Sequence, residues 1–187
     1  MAAWPDNGNS QWVQRNGSGL FLGDQSVSKT AQIASHSADT YYLGMRLPSF
    51  SMQAGMVFEW YFPVTKMAGT ATPIYTIRIG ANQSVADTSR LVITGPAQTA
   101  VADTGFIRVM LTCRLVGVTG VLQGMTWLQH NLAATGLANT PAGFSLVQAT
   151  SAGFDNTALQ GQYIGLSVNP GASGAWVVEQ CLARCWY

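Results

Sequence analysis

The run Phe106-Ile107-Arg108-Val109-Met110-Leu111-Thr112-Cys113-Arg114-Leu115-Val116 decides how this chain folds. Ile107, Val109, Leu111, Cys113 and Leu115 fall on one side of a period-two repeat, and Arg108, Thr112 and Arg114 on the other. An amphipathic helix repeats every 3.6 residues, so strict alternation of this length is a half-buried strand. Gly117-Val118-Thr119-Gly120 then turns the chain into a second run from Val121 to Gln129, which predicts a hairpin.

The same grammar extends in both directions. From Pro73 to Gly80, Tyr75, Ile77 and Ile79 alternate with Ile74, Thr76 and Arg78. Gln162 to Val168 groups Ile164, Leu166 and Val168, and Trp176 to Leu182 groups Trp176, Val178 and Leu182. Tyr41 to Leu47, Met56 to Val64 and Arg90 to Thr94 complete the expected core, with weaker strands at Trp12 to Arg15, Leu20 to Leu22 and Phe144 to Val147. Leu132 to Ala138 is Ala-rich, but Gly136 interrupts it and Pro141 follows, so it predicts at most a turn or two of helix. The expected fold is all-β: a two-sheet β-sandwich of jelly-roll type with about eight to ten strands and very little helix. We read residues 1–30 as an N-terminal arm with the first short strands and residues 31–187 as the sandwich, one domain overall.

Composition narrows the function. Of 187 residues, 48% are hydrophobic and only 9% charged, against roughly 25% charged in an average globular chain. Such a chain covers its surface with small polar residues or shares that surface with other subunits. A net charge of +1 supplies no field for nucleic acid or an anionic membrane, so neither is expected as a partner. No apolar run is long enough for a membrane-spanning helix, and Met1-Ala2-Ala3-Trp4-Pro5-Asp6 lacks the basic and apolar regions of a secretory signal. Cys113, Cys181 and Cys185 are then expected as free, buried thiols, because Cys181 and Cys185 in a strand stand about 13 Å apart.

Catalytic chemistry finds no foothold. His36 and His130 are the only histidines and have no companion at metal-ligand spacing, and no nucleophile elbow or phosphate loop occurs. Val85-Ala86-Asp87-Thr88 recurs as Val101-Ala102-Asp103-Thr104, where each aspartate is expected to close a turn rather than bind calcium. Glu59 and Glu179 are the only acids inside strands beside aromatics; they are expected as solvent-facing residues rather than a glycosidase pair. Trp60 and Trp127 are expected to pack in the core. Trp4 and Trp12 sit in otherwise polar sequence and are the candidate interface anchors. Asn16-Gly17-Ser18 and Asn82-Gln83-Ser84 match a glycosylation sequon by chance in an Asn- and Ser-rich chain. No catalytic residue, metal or cofactor is expected.

One resemblance adds to this reading. Leu43-Gly44-Met45-Arg46-Leu47-Pro48, Gly55-Met56-Val57-Phe58, Thr76-Ile77-Arg78-Ile79-Gly80, Ala86-Asp87-Thr88, the run Gly105 to Val116, Thr119-Gly120-Val121-Leu122-Gln123-Gly124 and His130-Asn131-Leu132 together resemble small virion structural proteins of tailed bacteriophages. The likeness covers residues 40–132. It implies a jelly-roll homotrimer, a decoration or cement protein that binds the major capsid protein, made in the host cytoplasm and placed on the capsid surface. A tail-fibre or receptor-binding head is the alternative, and a carbohydrate-binding module is a second.

Overall fold

A computed structural model describes residues 11–15, 21–29, 32–47, 51–131, 135–139, 144–171 and 175–186, with the side chains of 11–15, 21–27 and 144 left aside. Thirteen strands lie among these residues, and no helix. In chain order they are β1 (Gln11–Arg15), β2 (Phe21–Lys29), β3 (Ile33–His36), β4 (Thr40–Arg46), β5 (Val57–Lys66), β6 (Ile74–Gly80) and β7 (Thr88–Thr94). They continue as β8 (Asp103–Leu115), β9 (Val121–His130), β10 (Phe144–Thr150), β11 (Tyr163–Asn169), β12 (Trp176–Val178) and β13 (Cys181–Trp186).

The strands form two antiparallel sheets packed as a β-sandwich. The larger has nine strands, in the order β1-β2-β13-β5-β8-β9-β10, with β12 bridging β3 and β5 beside that path. The smaller runs β4-β11-β6-β7. Between them lie the residues that the period-two reading singled out. Phe58, Trp60, Phe62 and Val64 come from β5, Ile107, Val109, Leu111 and Cys113 from β8, Tyr75, Ile77 and Ile79 from β6, and Ile164, Leu166 and Val168 from β11. Each fully buried large apolar side chain contributes about 1.5–3 kcal/mol relative to exposure, so this two-sided seam is the main source of stability. At Gly124 the sheets leave no room for a side chain: a Cβ there would meet Leu91 Cδ2 at 2.6 Å and Ile93 Cδ1 at 2.9 Å.

Three expectations need correction. The strand count exceeds eight to ten because the weaker candidates all form strands, as β1, β2 and β10, β3 forms where none was expected, and the run 176–182 is two strands. That run breaks at Glu179 and Gln180. β13 pairs with β5 as far as Tyr61 and β12 from Thr65 onward, so Pro63, which has no N–H to donate, sits at the seam between them. Beyond the break the alternation restarts, with Cys181, Ala183 and Cys185 inward and Leu182 outward. Leu115 likewise faces out, half exposed, because a register shift between Cys113 and Leu115 ends the alternation. Buried Asn156 plugs that shift, donating from Nδ2 to Leu115 O at 3.0 Å and accepting Gly117 N–H at 2.9 Å on Oδ1. Residues 135–139 form bends, within the limit of at most a turn or two of helix, while 132–134 lie outside the described residues.

All three cysteines are buried, and none is in a disulfide. Burial pushes the Cys113 thiol up and the Cys181 thiol to about 12. A thiol whose folded value is raised stays protonated after the unfolded chain has ionised, so the unfolded state binds fewer protons and stability falls as pH rises. For Cys181 that loss begins near pH 9 and continues to about 12. Native protein should resist a thiol reagent at neutral pH and release three reactive thiols in denaturant. Urea midpoints followed from pH 8 to pH 11 should decline; a flat profile, or one thiol reacting at once in the native state, would contradict this packing.

Candidate binding face

The inner faces of both sheets are consumed by the core, so any working surface lies outside. On the outer face of the nine-stranded sheet, five strands place one side chain each in a straight cross-strand row. Leu146 of β10 stands opposite Trp127 of β9, Trp127 opposite Arg108 of β8, Arg108 opposite Tyr61 of β5, and Tyr61 opposite Leu182 of β13. Directly paired strand residues stand about 5 Å apart, so these side chains form a continuous ladder. Leu146, Trp127 and Leu182 are exposed, and Phe106 beside them is 43% exposed.

Beneath the ladder sits a wholly buried carboxylate. Glu59 points outward from β5, yet Arg108, Arg184 and Tyr61 close over it. Arg184 donates from Nε to Glu59 Oε2 at 2.7 Å, Arg108 Nη2 contacts Oε1, and the Tyr61 hydroxyl donates to Oε2 while accepting from Arg184. The two guanidinium carbons lie 5.4 Å (Arg108) and 5.0 Å (Arg184) from the Tyr61 ring centroid, and Arg184 lies 4.9 Å from that of Trp186. Desolvation, followed by the bond to Glu59, pushes the Tyr61 hydroxyl above its usual value. With two arginines and one glutamate, the cluster carries one surplus positive charge. The side chains hold one another in place, so little rotamer freedom remains to be lost on binding. A shallow hollow opens at one edge, lined by Tyr61, Pro63, Phe106, Gln180, Leu182 and Arg184.

The sequence expectations distribute unevenly over this face. Trp60 is in the core as expected, with Nε1 donating to Leu43 O at 3.0 Å. Trp127, expected there too, is 41% exposed, because its β9 position pairs with outward Arg108. Glu59 is buried rather than solvent-facing, since two neighbouring strands each bring an arginine over it. Glu179 is exposed at the β12–β13 break and accepts from Gln32 Nε2 at 2.8 Å, so the two glutamates serve different partners. Trp4 lies outside the described residues; Trp12 is in β1, where only its backbone is described. Alternation alone would have put Arg108 and Tyr61 outside. The cross-strand register that aligns them with Trp127 needs the pairing itself.

The aspartate repeat splits as well. Asp87 does close a turn, accepting from Asn82 N–H at 3.0 Å and Ser84 N–H at 3.3 Å. Asp103 accepts Thr104 N–H at 2.8 Å, but its other oxygen takes Leu137 N–H at 3.0 Å and lies 2.9 Å from buried His130 Nδ1. That pair stands at the end of the core near Lys66, whose buried ammonium donates to Thr99 O and Val101 O at 2.6 and 2.8 Å. His36 contacts the Tyr42 hydroxyl at 2.9 Å, and burial lowers its pKa. Among the described residues, no three His, Cys, Asp or Glu side chains gather as metal ligands.

No family model matches the chain, and no curated protein matches it. Among solved structures it is similar to a lectin from Bauhinia forficata in complex with GalNAc, at 9% identity and a TM-score of 0.37, over 98% of this chain and 89% of that one.

The buried carboxylate makes a sharp energetic test. Replacing Arg108 and Arg184 together by Met leaves Glu59 unpaired and should cost about 3–5 kcal/mol in urea unfolding. Adding Glu59→Met to that double variant removes the stranded charge and should recover most of the loss. A triple variant no more stable than the double would show that the cost lies in lost packing instead.

Proposed function

We propose that this chain is a non-enzymatic structural protein that works by assembly: a homotrimer decorating a bacteriophage capsid by binding the major capsid protein. The observation that supports assembly best is the ladder face. Tyr, Trp and Arg are the residue types that dominate interface hot spots, whereas Lys is depleted there. Here Trp127, Tyr61, Arg108 and Arg184 share one face, while the chain's two lysines are Lys29, partly buried, and Lys66, buried. A charge-poor exterior is a solubility liability in a lone monomer and ceases to be one when neighbours cover it. The sequence resemblance over residues 40–132 supports the virion setting, with Trp4 and Trp12 of the N-terminal segment as the grip on the shell.

A second reading, a carbohydrate-binding module, draws on the same face, because exposed Trp127 and Phe106 can serve as stacking surfaces for sugar rings. Co-sedimentation with capsids stripped of this protein separates the two. Wild-type protein should pellet with capsids and sediment alone as a trimer, and a variant lacking residues 1–12 should remain trimeric yet stay in the supernatant. Failure of the wild type to bind capsids, with saturable binding to oligosaccharide that Trp127→Ala abolishes, would replace the assembly reading with the second.

A further inference from the structure

Strand β8 carries complementary features at its two ends. At the Phe106 end lies the hollow formed by Tyr61, Pro63, Phe106, Leu182, Gln180 and Arg184. Its floor is apolar, its rim carries the half-exposed Arg184 guanidinium, and the cluster around it has one surplus positive charge. At the other end, the β8–β9 turn thrusts out Val118, which at 72% is the most exposed large hydrophobic side chain among the described residues.

Val118 is held firmly. Gly117 N–H donates to Asn156 Oδ1 at 2.9 Å, Asn156 N–H to Gly117 O at 3.2 Å, and Phe154 N–H to Gly120 O at 3.0 Å. These bonds zip residues 154–156 against the turn and set Asp155 near Val118. The Asp155 carboxylate is fully exposed, and its bonds from the Thr157 hydroxyl and N–H hold its pKa below the usual range, so it is ionised. Of the basic residues at this end, Arg90 lies over the Phe154 ring at 4.6 Å and Arg114 is exposed. The result is a rigid projection with an apolar tip and a flanking carboxylate.

We propose that this Val118–Asp155 knob docks into the Phe106–Leu182 hollow of a second copy, and that three such head-to-tail contacts close the homotrimer. The proposal rests on the trimer reading above and specifies its interface. Three arguments carry it. From Phe106 to Leu115 the strand advances about 30 Å, so the knob cannot reach the hollow of its own chain. The chemistry is complementary, an apolar tip for an apolar floor and a carboxylate for the surplus guanidinium charge. The surrounding face leaves room for a partner: five strands about 4.8 Å apart and about seven residues long make a platform on the order of 500–600 Å² around the hollow, against the roughly 800 Å² each partner contributes to a standard interface. Because knob and hollow are different patches, the contact is heterologous, the kind that generates a ring when its rotation closes.

The test is a pair of surface cysteines in the full chain. Val118 and Leu182 are both exposed, and the native thiols are buried. Under mild air oxidation, Val118→Cys/Leu182→Cys chains should give disulfide-linked trimers on a denaturing, non-reducing gel. Each single variant should remain monomeric on the same gel, and an equimolar mixture of the two should give covalent dimers and nothing larger. Cross-linking of either single variant with itself, or no cross-link in the double variant and the mixture, would overturn the head-to-tail contact. Sedimentation of the wild type tests the trimer separately. A wild-type trimer without the cross-link refutes only this interface, whereas a wild-type monomer removes the trimer reading and the interface with it.

Discussion

The pairing of β5 with β8 is the constraint around which the rest of the molecule is arranged. Ten residues of β5, from Val57 to Lys66, stand opposite Thr112 to Asp103 without a slip. Because successive side chains alternate, this one register assigns both faces at once. Inward it delivers Phe58, Trp60, Phe62 and Val64 alongside Ile107, Val109 and Leu111 to the seam between the sheets. Outward it sets Tyr61 against Arg108 and Glu59 against Met110. A slip of one residue would bury Arg108 and expose Trp60, so the core enforces the geometry of the outer face. The ladder is in this sense a by-product of a register that hydrophobic burial makes non-negotiable.

That coupling explains which parts of the molecule were legible in sequence. The all-β sandwich followed from alternation at β5, β6, β8, β9 and β11, where the apolar side is nearly unbroken. Local cues failed where the chain answered to a neighbour instead. Leu115 continues the alternation on paper but is turned outward by a bulge that a distant Asn156 stabilises. The run 176–182 looks continuous, yet its two halves address different lengths of β5 with Pro63 between them. Glu59 reads as a surface acid because the arginines that cover it come from positions 49 and 125 residues further on. The identity of such a site is a property of pairing, and pairing between remote strands leaves no mark on a short window of sequence.

Two buried ionic groups sit at different depths and do different jobs. Glu59 lies under the outer face, where Arg184 and Tyr61 bond one carboxylate oxygen and Arg108 pairs with the other. Asp103 and His130 lie at one end of the core with Lys66 nearby, and between them they hold backbone groups of residues 99, 101, 104 and 137. These loops have little regular structure of their own, so a buried charge acts as a fixed point to which several backbone donors and acceptors are tied.

The position of β13 has a consequence for how the chain is made. It lies between β2 and β5, pairing with Ser28 and Ser26 on one side and with Tyr61 and Glu59 on the other. Residues separated by more than 150 positions must therefore meet before the larger sheet is continuous. During synthesis at roughly 5–20 residues per second, β5, β8 and β9 emerge and can pair several seconds or more before residues 181–186 exist. Throughout that interval one flank of β5 and the inward side of β2 have no β13 to cover them. Such open edges attract other strands, including those of sister chains on the same messenger RNA. The low charge of the chain offers little electrostatic repulsion to keep those nascent copies apart, so its folding yield should depend on how crowded its own translation is.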